Sequence, residues 1–425
     1  MIRQVFLFFL SIPFFFACKP GKGLFGAKRL HEQYGQKLKT AGLYETALGR
    51  QWFLAADKAL AAPQTISLPY EERGYFAAEK PRAAGLQFTA KRGQKLFFTL
   101  EKNPAPDFTL FIELWRVREG RDTSFVLSPD STQERFEQEI EGDEVYILRL
   151  QPELLKSGDY RLSISLGPSL GFPVPGGRIG SIWGDDRDAG ARRHEGIDIF
   201  APKRTPTTAA ADGIITSVRD GGIGGKAIFM RPMGKAYSLY YAHLDEQLVS
   251  QGERVAKGDT IGLVGNTGNA RTTPPHLHFG IYAVGGAINP LPFVDPALKS
   301  PAKVTVPSDK LLAARRSNTL IKTGNRAYAA HTVVYPLAVT ARMLRVEMPD
   351  GVITEVPAAS LDETFGSIRT GKLKEDSFLV ESPEPVSARK VLLKAGTPVK
   401  VLGIFADYVM VAAQEEKGWL PATVL

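Results

Sequence analysis

Hydrophobic positions change their period along the chain. From Ala27 to Ala62 there are few Gly or Pro residues, and Leu30, Tyr34, Leu38, Leu43, Leu48, Phe53, Leu54 and Leu60 recur at spacings near 3.6. This predicts a short helical hairpin, broken near Ala41-Gly42. Between residues 84 and 167 the pattern shortens to β-branched and aromatic runs, Leu96–Leu100, Phe108–Val117, Val145–Leu148 and Tyr160–Ile164, separated by polar turns. An antiparallel β-sandwich fits them. A Pro/Gly-rich stretch from Gly167 to Gly176 marks a boundary. Beyond Pro301 the chain repeats itself approximately: Met343–Glu347 through Val356–Leu361 is echoed by Tyr408–Ala412 through Leu420–Leu425. Each copy ends its short strands on a hydrophobic residue, Pro-Ala and a final Leu, which predicts two small β-barrels over 305–362 and 375–425.

The N-terminus carries a different signal. Val5 to Ala17 is apolar except for Ser11 and Pro13, follows one basic residue, Arg3, and ends on a small residue. That is a signal peptide over 1–17, since a membrane-spanning helix needs ~20 apolar residues. Cys18 follows directly and is the only cysteine. One thiol excludes an intramolecular disulfide and a Cys-based zinc ribbon. Phe15-Phe16-Ala17-Cys18 resembles the lipobox of bacterial lipoproteins, with Phe15 where Leu is usual. The resemblance implies cleavage before Cys18 and its acylation, hence a lipid-anchored protein of the bacterial cell envelope facing the periplasm. A buried structural cysteine after an ordinary signal is the alternative. Lys19, Lys22, Lys28 and Arg29 make the start of the 18–83 segment a basic tether, which suits an anionic membrane surface.

At 425 residues, 44% hydrophobic and 23% charged, the chain has the composition of a folding polypeptide, with room for two to four domains at roughly 100–200 residues each. The net charge of +8 divides as +1 over 1–17, +5 over 18–83, −3 over 84–171, +1 over 172–298 and +4 over 299–425. No segment concentrates the basic excess of a nucleic-acid binder.

The candidate chemistry lies between residues 178 and 282. Four of the six histidines, His194, His243, His276 and His278, fall there. His194 stands four residues before Asp198, and His276 two before His278, in apolar β-branched surroundings. On a strand, residues two apart point to the same face, so both imidazoles of the second pair can look into one site. Two neutral imidazoles and one carboxylate suit a catalytic zinc, which takes N and O ligands and keeps a fourth position for water. The two remaining histidines are then free for proton transfer.

His194-Glu195-Gly196-Ile197-Asp198, Tyr241-Ala242-His243-Leu244 and His276-Leu277-His278-Phe279-Gly280 resemble, in their usual order, the three motifs of the lysostaphin-like (LytM-type) zinc endopeptidases. The lead-in Ser181–Asp185 with Arg187 and Arg193 is similar too, as are Ala211–Gly213, Val255–Asp259 and Gly265–Gly268. The likeness covers residues 172–298. It implies an antiparallel β-sheet peptidase domain crossed by a groove, one Zn2+ per chain held by His194, Asp198 and His278, and His243 and His276 as general base and acid. It further implies hydrolysis of stem or cross-link peptides of peptidoglycan by zinc-activated water. Arg271–Pro275, ahead of His276, departs from the shorter Ser/Gly stretch of many relatives. The C-terminal barrels are similar to bacterial SH3 modules. The expected architecture is therefore mainly β and multidomain: helical segment, β-sandwich, lysostaphin-like domain and two SH3-like barrels. Two other functions stay open, a non-catalytic cell-wall-binding or hydrolase-activating module of the same fold, and a peptidase acting on proteins. Tyr241 has two readings, contact with the reaction intermediate or packing, while His31 and His331 are read as structural.

Overall fold

The computed structural model describes residues 29–425 except 105–106, 119, 121, 188–191 and 365. Cys18 and the apolar leader lie outside the described residues. The chain is mainly β.

The helices Leu30–Thr40 and Ala47–Ala61 turn on Gly42, whose φ of 71° favours glycine. Thr46 caps the second helix by accepting the Gly49 N–H at 3.0 Å. Leu38, Trp52, Ala56 and Ala59 are buried, and Trp52 with Phe111 joins the helices to the sandwich. His31 lies in this junction, stacked on Trp52 at 4.6 Å, with Nε2 2.6 Å from Gln151 Oε1 and Nδ1 3.1 Å from Arg149.

The first sandwich sheet runs Gln64–Thr65, Ala84–Ala90, Glu144–Pro152, Leu110–Val117, Thr123–Leu127. The second runs Ile353–Pro357, Met343–Glu347, Val333–Val339, Tyr70–Phe76, Gly158–Pro168, Gln94–Asn103, Arg135–Glu139. Alternating residues such as Leu86, Phe88, Leu96, Phe98, Leu148, Leu150, Leu162 and Ile164 fill the space between them. Tyr70–Phe76 precedes residue 84, so the sandwich starts earlier than the hydrophobic pattern suggested. This strand reads Tyr-Glu-Glu-Arg-Gly, and its buried Glu72 is satisfied by its strand neighbour Tyr70 and by two groups distant in sequence. Tyr70 donates to it at 2.5 Å, Tyr160 at 2.7 Å, and Arg345 pairs with it at 2.7 Å. The same strand pairs with Val333–Val339, so segment 305–362 continues the sandwich sheet. The last segment forms its own six-stranded sheet around Leu379, Leu393, Val401, Val411 and Leu420.

Between these parts, an antiparallel sheet runs Arg178–Ser181, Ile197–Phe200, His276–Ala283, Tyr237–Leu244, Lys226–Pro232, Gly213–Arg219, Arg254–Val255. Ile197, Ile199, Leu239, Tyr241, Leu277, Phe279 and Ile281 point into its core and are fully buried. The period of two therefore sends Asp198, Ala242, His276 and His278 to the opposite face.

Candidate metal centre

Strand register brings the motifs together. Asp198 lies opposite His278 on one side, and Ala242 opposite His278 on the other. His278 Nδ1 and His194 Nε2 each stand 3.0 Å from Asp198 Oδ1 and 3.0 Å from each other. The three atoms form a compact triangle, and His194 and Asp198 are buried. Burial works against the charged form of Asp198, but where His194 and His278 present an N–H or a positive ring to it, those interactions prevail and hold its carboxyl well below the usual carboxylate range.

The donor set fits a cation. His194 Nδ1 lies 2.9 Å from the Ile182 carbonyl, which takes the ring N–H and turns the Nε2 lone pair toward Asp198. Lone pairs facing a carboxylate at 3.0 Å repel unless a positive centre sits among them. Tetrahedral zinc with ligands at ~2.0–2.1 Å separates them by about 3.3 Å, close to this spacing. Asp198 divides its oxygens: Oδ1 faces the imidazoles, while Oδ2 accepts from Arg187 Nη2 at 2.5 Å. Arg187 also donates to Ser181 at 2.9 Å, and Ser181 donates to Asp185 at 2.8 Å. The carboxylate is thus fixed from behind.

His243 and His276 flank this triangle. Each lays Nδ1 against a backbone carbonyl, Thr267 and Pro274 respectively, at 2.9 Å. The Nε2 atoms remain for other partners, and that of His276 lies 4.0 Å from Asp198 Oδ1. The ring of His243 is 5.1 Å from His276 and 5.8 Å from His278. Its backbone has φ 64°, an uncommon conformation for a non-glycine residue. Burial, and then the neighbouring His278 and His276, pull His243 down to about 4, so it is a neutral base at pH 7. Burial also lowers His278.

Tyr241 is fully buried on the core side, where its Oη accepts the Ala210 N–H at 3.0 Å, so it packs. Tyr240 is the tyrosine on the site face, edge-on to His278 at 5.9 Å. Alternation around Ala242 carried that signal in the sequence. His31 and His331 stand in other parts of the fold, on the first helix and beside Val333–Val339.

Residues 192–290 match the profile of peptidase family M23. The chain is 34% identical over 130 residues to the peptidoglycan DD-endopeptidase ShyC of Vibrio cholerae, covering 31% of this chain and 27% of that protein. It is 38% identical over 114 residues to the L-Ala–D-Glu endopeptidase of Bacillus subtilis, covering 25% and 35%. Among solved structures, the catalytic domain of lysostaphin from Staphylococcus simulans is 29% identical and covers 28% of this chain and 94% of that chain, with a TM-score of 0.26. The chain spans 31%, 27% and 22% of the lengths of the first three curated relatives it matches.

Proposed function

We propose that this chain, whose residues 192–290 carry a peptidase family M23 domain, is a zinc-dependent endopeptidase that hydrolyses peptide bonds in peptidoglycan stem peptides or cross-links. The observation that carries the reading is the triangle of His194 Nε2, Asp198 Oδ1 and His278 Nδ1, flanked by two further imidazoles. Those three atoms would hold the ion. Bound there, zinc acidifies water and polarises a carbonyl. His243, neutral at pH 7, would accept a proton as water attacks the scissile peptide, and His276, as general acid, would give one to the leaving amine once its own Nε2 is protonated, the proton held by His243 then restoring His276 through solvent. The Thr267 and Pro274 carbonyls fix both rings in the tautomer that presents Nε2. Arg187 orients Asp198 by holding its Oδ2. The names of the V. cholerae and B. subtilis relatives support the substrate class.

The same proposal puts the protein on a membrane of the bacterial envelope through a lipid on Cys18, periplasm-facing, with segments 305–362 and 375–425 as SH3-like modules. Digestion of purified peptidoglycan by zinc-loaded protein, read by mass spectrometry of the released muropeptides, tests it. Specific muropeptides are expected from the wild type and none from His278→Ala. No cleavage while a control hydrolase is active would overturn it.

A further inference from the structure

The sheet face that carries the ligand triangle also carries aromatic rings on either side of it. On one side the Phe200 ring lies 5.0 Å from His276, with the Arg178 guanidinium over it at 6.0 Å from the ring centre. On the other, Tyr240 lies 5.9 Å from His278 and Phe229 4.5 Å from Tyr240, with the Arg219 guanidinium over Phe229 at 5.1 Å. Register fixes the direction of this row. Phe200 is level with His276, two residues before His278, whereas Tyr240 and Phe229 are level with Gly280, two residues after it and across the strand His276–Ala283. At ~4.8 Å between strands and ~3.3 Å per residue, the two phenyl rings stand ~20 Å apart on a diagonal through the triangle. All three of these rings are half-buried, and both arginines are exposed. Neither guanidinium has an acidic partner among the described residues, and Arg219 Nε donates to Ser217 Oγ at 3.0 Å. Glu246, beside the Gln247 that holds the Arg219 carbonyl, is taken by Arg204 at 2.8 Å.

We propose that this row is the floor on which the substrate lies, and that it selects a peptide with a carboxylate on each side of the scissile bond, one held by Arg178 and the other by Arg219. The selection rests on the peptidase reading and adds to it which peptides are taken. Aromatic faces cover the apolar parts of an extended chain, and ~six residues at ~3.3 Å each span the diagonal. A guanidinium stacked on a phenyl ring keeps its N–H edge free in a fixed plane, which matches the two oxygens of a carboxylate. Carboxylates are the anionic groups that a peptide itself carries, so two unmatched guanidiniums point to them. An ammonium at either position would meet like charge instead.

Soluble muropeptides with acetylated amines are prepared in two forms, one with free carboxylates and one with the carboxylates converted to amides. Zinc-loaded full-length protein is expected to cleave the acids with a KM about 25-fold below that of the amides, about fivefold for each exposed ion pair. Arg178→Gln and Arg219→Gln should each raise KM for the acids by about fivefold and leave KM for the amides unchanged, with Arg219→Lys falling in between. Both side chains are exposed, so urea unfolding midpoints equal to wild type are expected of these variants. Calorimetric binding of both forms to zinc-loaded His243→Ala protein separates recognition from cleavage. A wild type that cleaves neither form, beside a His243→Ala protein that prefers the acids, would defeat the peptidase reading and support carboxylate recognition. Equal binding of acids and amides, or arginine variants that weaken both forms alike, would overturn the selection.

Discussion

Replacing Gly196 by alanine probes how tightly the fold holds the proposed metal ligands. Gly196 lies between His194 and Asp198, and its φ is outside the left-handed region, so the alanine backbone is permitted and only space forbids it. A Cβ there would stand 2.6 Å from His278 Cε1, 2.7 Å from Nε2 and 2.8 Å from the Phe279 carbonyl oxygen. Carbon atoms pack at about 3.5–4.0 Å, so the imidazole must retreat by roughly 0.9 Å. The Phe279 carbonyl cannot give way instead, because that strand is locked by the pairs Ile197↔Phe279 and Asp198↔His278. The ring movement opens contacts that His278 Nδ1 now makes at 3.0 Å with Asp198 and His194. A misplacement near 1 Å costs about 100-fold in rate, and loosening a ligand's support costs about 10–100-fold in metal affinity. Overpacking adds a stability loss of about 1–3 kcal/mol. Zinc affinity by competition with a chromogenic chelator, muropeptide release and urea unfolding measure the three effects. Gly142→Ala, whose new methyl meets only the end of the Glu144 side chain at 3.1 Å, is the control. A Gly196→Ala protein with zinc affinity and turnover within about twofold of wild type would refute the reasoning.

Three other outcomes are expected. His243→Ala and His276→Ala should keep zinc affinity while losing turnover by about 10²–10⁴-fold, and a parallel loss of metal would contradict their assignment to proton transfer. Arg345→Met strands the buried Glu72 carboxylate and should destabilise the protein by about 3–5 kcal/mol in denaturant titration; adding Glu72→Gln should recover part of that loss. Burial, and then the charge of Arg149, lower His31 from 6.5 to about 3, with Arg29 and Glu32 also acting on it and Glu113 paired to Arg149. The unfolded chain therefore takes up a proton below pH 6.5 that the folded chain refuses. Stability is fully present above that pH and falls as pH drops toward 3, by about 1.4 kcal/mol per unit. His31→Gln should remove that part of the slope, and identical slopes in urea titrations at pH 7, 5 and 4 would count against it.

The helices and the clustering of His194, Asp198 and His278 were legible because their signals are local. Period 3.6 marked the hairpin, and period 2 put His276 and His278 on one face before any strand was seen. Tyr70–Phe76 was illegible for the opposite reason. Two adjacent glutamates look solvent-exposed until Tyr160 and Arg345, far along the chain, neutralise one of them. Position in a motif also misdirects: Tyr241 is the motif residue, yet its ring serves the core, and Tyr240 shares the face of His278.

By itself the sequence determined the set of chemical groups and the alternation that aims them. Only the tertiary structure decided distances and partners. It set the 3.0 Å spacing of the candidate ligand atoms and placed Arg187 behind Asp198. Periodicity is fixed by backbone geometry within a few residues. Charge neutralisation and the spacing of distant side chains instead depend on which strands pair across the whole chain, and local sequence does not contain that information.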